Sequence, residues 1–147
     1  MKPRIRKPLR KGSLVYHGTS AEDDFMILNG PAWVSDEETV AKTFVDWGGG
    51  DGQPRIIVFR VSAAPRLAVI GDARIEWLSF RDWVEEKIGM EAEPGTLEFA
   101  GQICDNARIL DLDGWHIPNN YGRPASDTML CEPGRFLEFV EVISVER

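Results

Sequence analysis

The chain has only two histidines and two cysteines in 147 residues. Cys104 and Cys131 form no CxxC and have no metal-ligand spacing, and His17 and His116 are too few to complete a zinc site around them. The sequence therefore predicts no metal centre, reduced thiols and a cytoplasmic protein. Long apolar runs are also missing. None approaches the ~18 residues that span a bilayer, and the N-terminus lacks the apolar core of a secretory signal, so no membrane partner is expected. The glycine run Gly48-Gly49-Gly50-Asp51-Gly52 lacks a following Gly-Lys-Ser/Thr, which makes it a connector rather than a phosphate cradle.

Acid is absent from residues 1–11, where Lys2, Arg4, Arg6, Lys7, Arg10 and Lys11 give a local charge of +6. The whole chain carries −7, so residues 12–147 carry −13. An acidic body argues against a nucleic-acid partner. Pro3 and Pro8 set residues 1–12 apart as an extended, flexible basic arm, with an acidic protein as its conceivable partner. Residues 13–147, of ordinary apolar and charged content, read as one domain large enough to bury a core.

Periodicity places the elements. Residues 14–16 form a strand, and 21–30 a short helix or turn closed by Asn29-Gly30-Pro31. Residues 32–34 form a brief strand, and Ser35 with Glu38 makes a capping box that opens a helix to Trp47, with Val40, Ala41 and Phe44 on its apolar face. Arg55–Val61 is a near-continuous apolar strand of the kind covered on both faces. A strand at 67–70 and helices at 73–88 and 96–110 follow, the second opened by Thr96. Strands at 115–117, 128–131 and 136–145 complete the order. This succession indicates an α+β domain.

The stretch with chemistry is Leu14-Val15-Tyr16-His17-Gly18-Thr19-Ser20. An apolar strand ends abruptly in an imidazole, a bare backbone and two hydroxyls. Gly18 lets a ligand approach main-chain N–H and C=O, a pair that suits a flat carboxamide. By itself a strand-end His-Gly is more often turn chemistry than a site.

Three ordered segments resemble the ADP-ribosyltransferase superfamily, in the branch with a His-Tyr-Glu type triad that includes diphtheria-toxin-like enzymes and the poly-ADP-ribose polymerases. Tyr16-His17-Gly18-Thr19 matches the first strand of that family. Trp33-Val34-Ser35-Asp36, running into a helix with Ala41 and Phe44, is similar to its strand-helix unit. Asp127-Thr128-Met129-Leu130-Cys131-Glu132-Pro133 resembles its last motif, and Asp113-Gly114-Trp115 the turn that often precedes it. The likeness spans roughly residues 13–145. It departs at Trp33, where Tyr is usual, at Ala41, where a Ser commonly bonds the carboxamide, and at Asp127, which stands for Glu. The compact size and the Leu130-Cys131-Glu132-Pro133-Gly134 ending also resemble phage-encoded ADP-ribosyltransferases, including some anti-CRISPR proteins.

The resemblance implies a fold of split, mainly antiparallel sheets with flanking helices. It also implies transfer of ADP-ribose from NAD to an unidentified target protein, as in toxin or phage effectors. Trp33 and Phe44 would wall the nicotinamide, Gly18 would meet its carboxamide, and Ser35 would belong to the same cofactor-binding set. His17 and Thr19 would bond ribose hydroxyls, and Asp127 would hold a 2′-OH and place negative charge near the anomeric carbon. One narrow cleft should then gather His17, Trp33 and Asp127. The alternatives are an NAD glycohydrolase, or a catalytically silent binding module in which Trp33 and Phe44 are core and Asp127 is a turn residue. Glu132 is the competing acid, and His116, between Trp115 and Ile117, reads as structural. The RNA 2′-phosphotransferase relatives of the fold use basic residues on phosphates, which the acidic body disfavours.

Overall fold

The computed structural model describes residues 2–20, 30–45, 52–71, 76–89, 97–118 and 125–146. Eight strands are β1 (Arg4–Arg6), β2 (Leu14–Thr19), β3 (Ala32–Ser35), β4 (Arg55–Val61), β5 (Leu67–Val69), β6 (Gly114–Ile117), β7 (Asp127–Leu130) and β8 (Leu137–Ser144). They lie in one sheet in the order β1-β5-β6-β7-β3-β2-β4-β8. Every pair is antiparallel except β5 with β6. The helices are α1 (Glu38–Lys42), α2 (Glu76–Ile88), α3 (Leu97–Asp105) and α4 (Ala107–Leu110). The fold is thus of mixed α and β content around a mostly antiparallel sheet. Among the described residues no helix is long and apolar enough to cross a membrane.

The sheet is bent. Leu67 of β5 shares a buried cluster with Val61 of β4 and Leu137 of β8, yet β5 and β4 stand five places apart in the sheet. A flat sheet would hold them about 24 Å apart, at ~4.8 Å per strand. The fold line lies between β2 and β3, which share a single pair, Tyr16 with Ser35, whereas β2 pairs with β4 along its whole length. The concave face closes over Val15, Val34, Ile57, Phe59 and Leu130, with Leu9 as a plug. On the convex face α2 and α3 bury Phe80, Trp83, Val84, Phe99 and Ile103 against Ala68, Trp115 and Met129. Burial on this scale contributes roughly 1.5–3 kcal/mol per large apolar side chain.

Several elements differ from the sequence expectation. The basic arm is not a free tail: Arg4–Arg6 pair with Leu67–Val69 as an edge strand, and Leu9 is buried in the concave core. The capping box does not form. Ser35 belongs to β3, its hydroxyl donates to Ser126 O at 3.0 Å and accepts from Glu37 N–H at 3.2 Å, and the cap residue Glu37 makes no side-chain cap bond. The helix it was expected to open is five residues long. Asn106 splits the expected 96–110 helix in two. The segment 21–29, Trp47, Thr96 and most of the 118–126 loop lie outside the described residues.

The thiols expected to be reduced are paired. Cys104 on α3 and Cys131 at the end of β7 form a disulfide across 27 positions, the sheet and the helix layer having brought together residues that spacing alone kept apart. Closing a loop of that length stabilises a fold by roughly 3–4 kcal/mol. Thermal unfolding with and without a phosphine reductant should show the melting temperature fall on reduction, and a Cys104→Ala/Cys131→Ala chain should melt at the reduced value under both conditions.

Candidate functional site

The candidate site lies on the fold line. Val61 N–H donates to Ser13 O at 2.8 Å, which sets the phase of the β2–β4 ladder. Val15, His17 and Thr19 therefore exchange main-chain bonds with β4, while Tyr16 and Gly18 turn their N–H and C=O toward β3. On β3, Asp36 N–H donates to Ser126 O at 3.3 Å. That phase leaves the main-chain groups of Trp33 and Ser35 facing back toward β2. The ladder closes at Tyr16 and Ser35 and then stops. Gly18 and Trp33, the next two residues that would pair, face each other across an unzipped seam.

His17 enters that seam from the concave side. Its Nδ1–H donates to the Trp33 carbonyl oxygen at 2.6 Å, which leaves Nε2 as an acceptor in the neutral ring. Burial lowers the His17 pKa below 6.5; the Trp33 carbonyl opposes this and the Arg55 charge adds to it. Burial also lowers the pKa of His116, against the pull of Asp36. Both rings are thus neutral at pH 7. The linkage sign follows: below about pH 6.5 the unfolded chain binds protons that the folded chain does not, so stability is lost on acidification. Between about pH 7.5 and pH 5.5 the melting temperature should fall, and it should fall less in a His17→Gln/His116→Gln chain.

Gly18 is required by packing as well as by any ligand. A Cβ there would stand 1.9 Å from the Ala41 carbonyl oxygen. Helix α1 therefore rests directly on the β2 backbone, with Val40 and Ala41 buried. The positions that carry the family resemblance meet here: Gly18 touches Ala41, His17 holds Trp33, and Phe44 follows half-buried in the turn after α1. Trp33 is 38% exposed, its indole edge-on to Trp115 at 5.6 Å.

Asp127 begins β7 rather than ending a loop, and it is 6% exposed. Its row across the sheet is Tyr16, Ser35, Asp127, Ile117. Strand alternation puts these side chains, with Trp33, on the convex face. His17 and Thr19 project from the concave face. Trp33 and Asp127 thus share a face next to the seam, and His17 reaches the seam from behind it. The expected single cleft is thus not formed by the three side chains: Trp33 and Asp127 share a face, His17 projects from the other, and the bond from His17 Nδ1–H to the Trp33 carbonyl oxygen is the link the structure shows between them. Glu132, the competing acid, lies in an exposed turn and pairs with Arg135 at 3.5 Å. Among the described residues no cluster of His, Cys, Asp and Glu could hold a metal ion.

A cavity of about 300 Å³ opens elsewhere, between the arm and the strand ends, lined by Pro8, Leu9, Ser13, Leu14, Val15, Asp36, His116, Pro118 and Ser126. None of the candidate site residues lines it. His116, read from sequence as structural, is the histidine that reaches it. The signal that would have found it is positional: Asp36 and Ser126 sit opposite each other just past the paired ends of β3 and β7.

No protein-family model matches this chain, and neither does any curated protein sequence.

Proposed function

We propose that the chain binds NAD at the β2–β3 seam and transfers its ADP-ribose to a protein side chain, releasing nicotinamide. The observation that carries this reading is the short ladder: β2 and β3 share only the pair Tyr16 with Ser35, the register turns the Gly18 N–H and C=O toward β3 beyond that pair, and Trp33 opposite is 38% exposed. A carboxamide that donates and accepts at once completes such a pair. Trp33 and Phe44 wall the nicotinamide ring. Ser35 fixes the turn of β3 into α1, and His17, on the opposite face from Asp127, acts by holding the Trp33 carbonyl rather than by reaching the ribose. The bond between the anomeric carbon and nicotinamide breaks, its electron pair leaves with nicotinamide, and the acceptor side chain bonds to that carbon and loses a proton. The Asp127 carboxylate stabilises the positive charge that develops on the sugar.

The test is incubation with NAD and a cell lysate, followed by intact-mass detection of protein carrying added ADP-ribose. Nicotinamide released with no modified protein would assign an NAD glycohydrolase instead. A specific observation favours a third reading, a silent binding module on the same seam: His17 and Asp127 project from opposite faces of the sheet. That reading holds if NAD raises the melting temperature but is never consumed.

A further inference from the structure

We propose that the cavity beneath the basic arm is a second ligand site, separate from the seam, which takes the guanidinium group of a compact molecule or of an arginine side chain. Its walls are apolar, from Pro8, Leu9, Leu14, Val15 and Pro118, and its polar groups are few and convergent, the composition of small-molecule sites. Three acceptors face it. His116 is 6% exposed, and its Nδ1 is engaged with Thr128 Oγ1 at 2.7 Å. When that nitrogen carries the proton, Nε2 is an acceptor, on a ring that lines the cavity. Ser126, also 6% exposed, spends only its main chain on the fold. Its N–H donates to Asp36 Oδ1 at 2.8 Å, and its C=O accepts from Ser35 Oγ and Asp36 N–H. Its hydroxyl has no partner among the described residues and is left for a ligand. Asp36 uses one carboxylate oxygen on Ser126, and the other is left as the charged acceptor.

The charge at this site selects a cation. Asp36 supplies a formal negative charge, and no lysine or arginine is among the described lining residues, although the arm bears six of them. The arm contributes only Pro8 and Leu9 to the wall. A guanidinium offers five N–H donors in one plane, enough for a carboxylate, a hydroxyl and an imidazole nitrogen together. An ammonium offers three from a point and meets them less well.

The experiment follows the ring signals of both histidines in the nitrogen-15-labelled chain during titration with phenylguanidine, with neutral phenylurea as its isostere. The site predicts saturable shifts at His116 with His17 unmoved, and binding of phenylurea at least about tenfold weaker. It also predicts a loss of about tenfold or more in Asp36→Asn, which keeps the acceptor to Ser126 N–H and removes the charge. A blocked Gly-Arg-Gly peptide that binds as well as phenylguanidine assigns the site to an arginine of a polypeptide; phenylguanidine binding alone assigns it to a free guanidino compound. No saturable shift at millimolar phenylguanidine, equal binding of phenylurea, or a response at His17 without His116 would overturn the proposal. The phenylurea comparison uses the unaltered chain, so it decides even if Asp36→Asn fails to fold.

Discussion

Asp127→Asn and Asp127→Ala should each lower ADP-ribose transfer by about 10²–10³-fold, equivalent to roughly 2.7–4 kcal/mol of lost transition-state stabilisation. The effect belongs to charge rather than shape. Asp127 starts β7 in a fixed row with Ser35 and Ile117, on the face where the Trp33 indole is half exposed. A buried carboxylate acts on a cationic transition state through little intervening water, where its field is screened far less than at the surface. Asparagine keeps the outline of the side chain and its β-strand position while it removes the charge and turns one acceptor oxygen into a donor, so activity should collapse as far as in Asp127→Ala. An Asp127→Asn chain with full activity against a verified protein acceptor would remove Asp127 from the mechanism.

A large loss of stability is expected at Gly18. An alanine methyl there would stand 1.9 Å from a backbone carbonyl oxygen of α1, and a backbone atom cannot rotate aside as a side chain can. Overpacking of a core typically costs 1–3 kcal/mol, and a clash with main chain places Gly18→Ala at about 3 kcal/mol or above. For a chain of this size that is a fall of roughly 6–12 °C in melting temperature. Gly101→Ala is the contrast. It lies in α3 with nothing within 4 Å of the added methyl, and a mid-helix glycine replaced by alanine gains roughly 0.5–1 kcal/mol. Paired thermal melts of the two variants check the prediction, and equal melting temperatures would contradict direct packing of α1 on β2. Gly18→Ala should also lift α1, and Phe44 with it, from the seam.

The sequence displayed the elements whose burial is continuous or strictly periodic. Arg55–Val61 reads as a strand covered on both faces, and β4 has those ends. In 73–88 the spacing of Trp77, Phe80, Val84 and Ile88 is that of a helix, and all four pack in the α2 layer. Other features depend on partners that no local pattern names. β1 is three residues with one inward isoleucine, too short for a period, and it exists because β5 offers an edge. Ser35 and Glu38 have the spacing of a cap, but a competing partner, the Ser126 carbonyl, takes the serine hydroxyl. The disulfide and the cavity both join positions far apart in sequence, through a sheet order the chain does not spell out. The seam was half legible: His-Gly at a strand end announces exposed backbone, while the loss of pairing beyond Tyr16 and Ser35 is a property of the bent sheet. The register puts Asp127 in the row of Tyr16, so strand alternation sends the neighbouring His17 to the opposite face, which motif order cannot reveal.

In the proposed site the Gly18 backbone and the Trp33 indole hold one nicotinamide between them. Titrating the nitrogen-15-labelled chain with NAD, and separately with nicotinamide, measures this through the Gly18 amide and Trp33 indole signals. Both signals should move together along one saturable curve with either ligand, and Trp33→Ala should abolish the Gly18 response. Saturable binding that leaves Gly18 and Trp33 unmoved, or no binding of NAD at millimolar concentration, would contradict it.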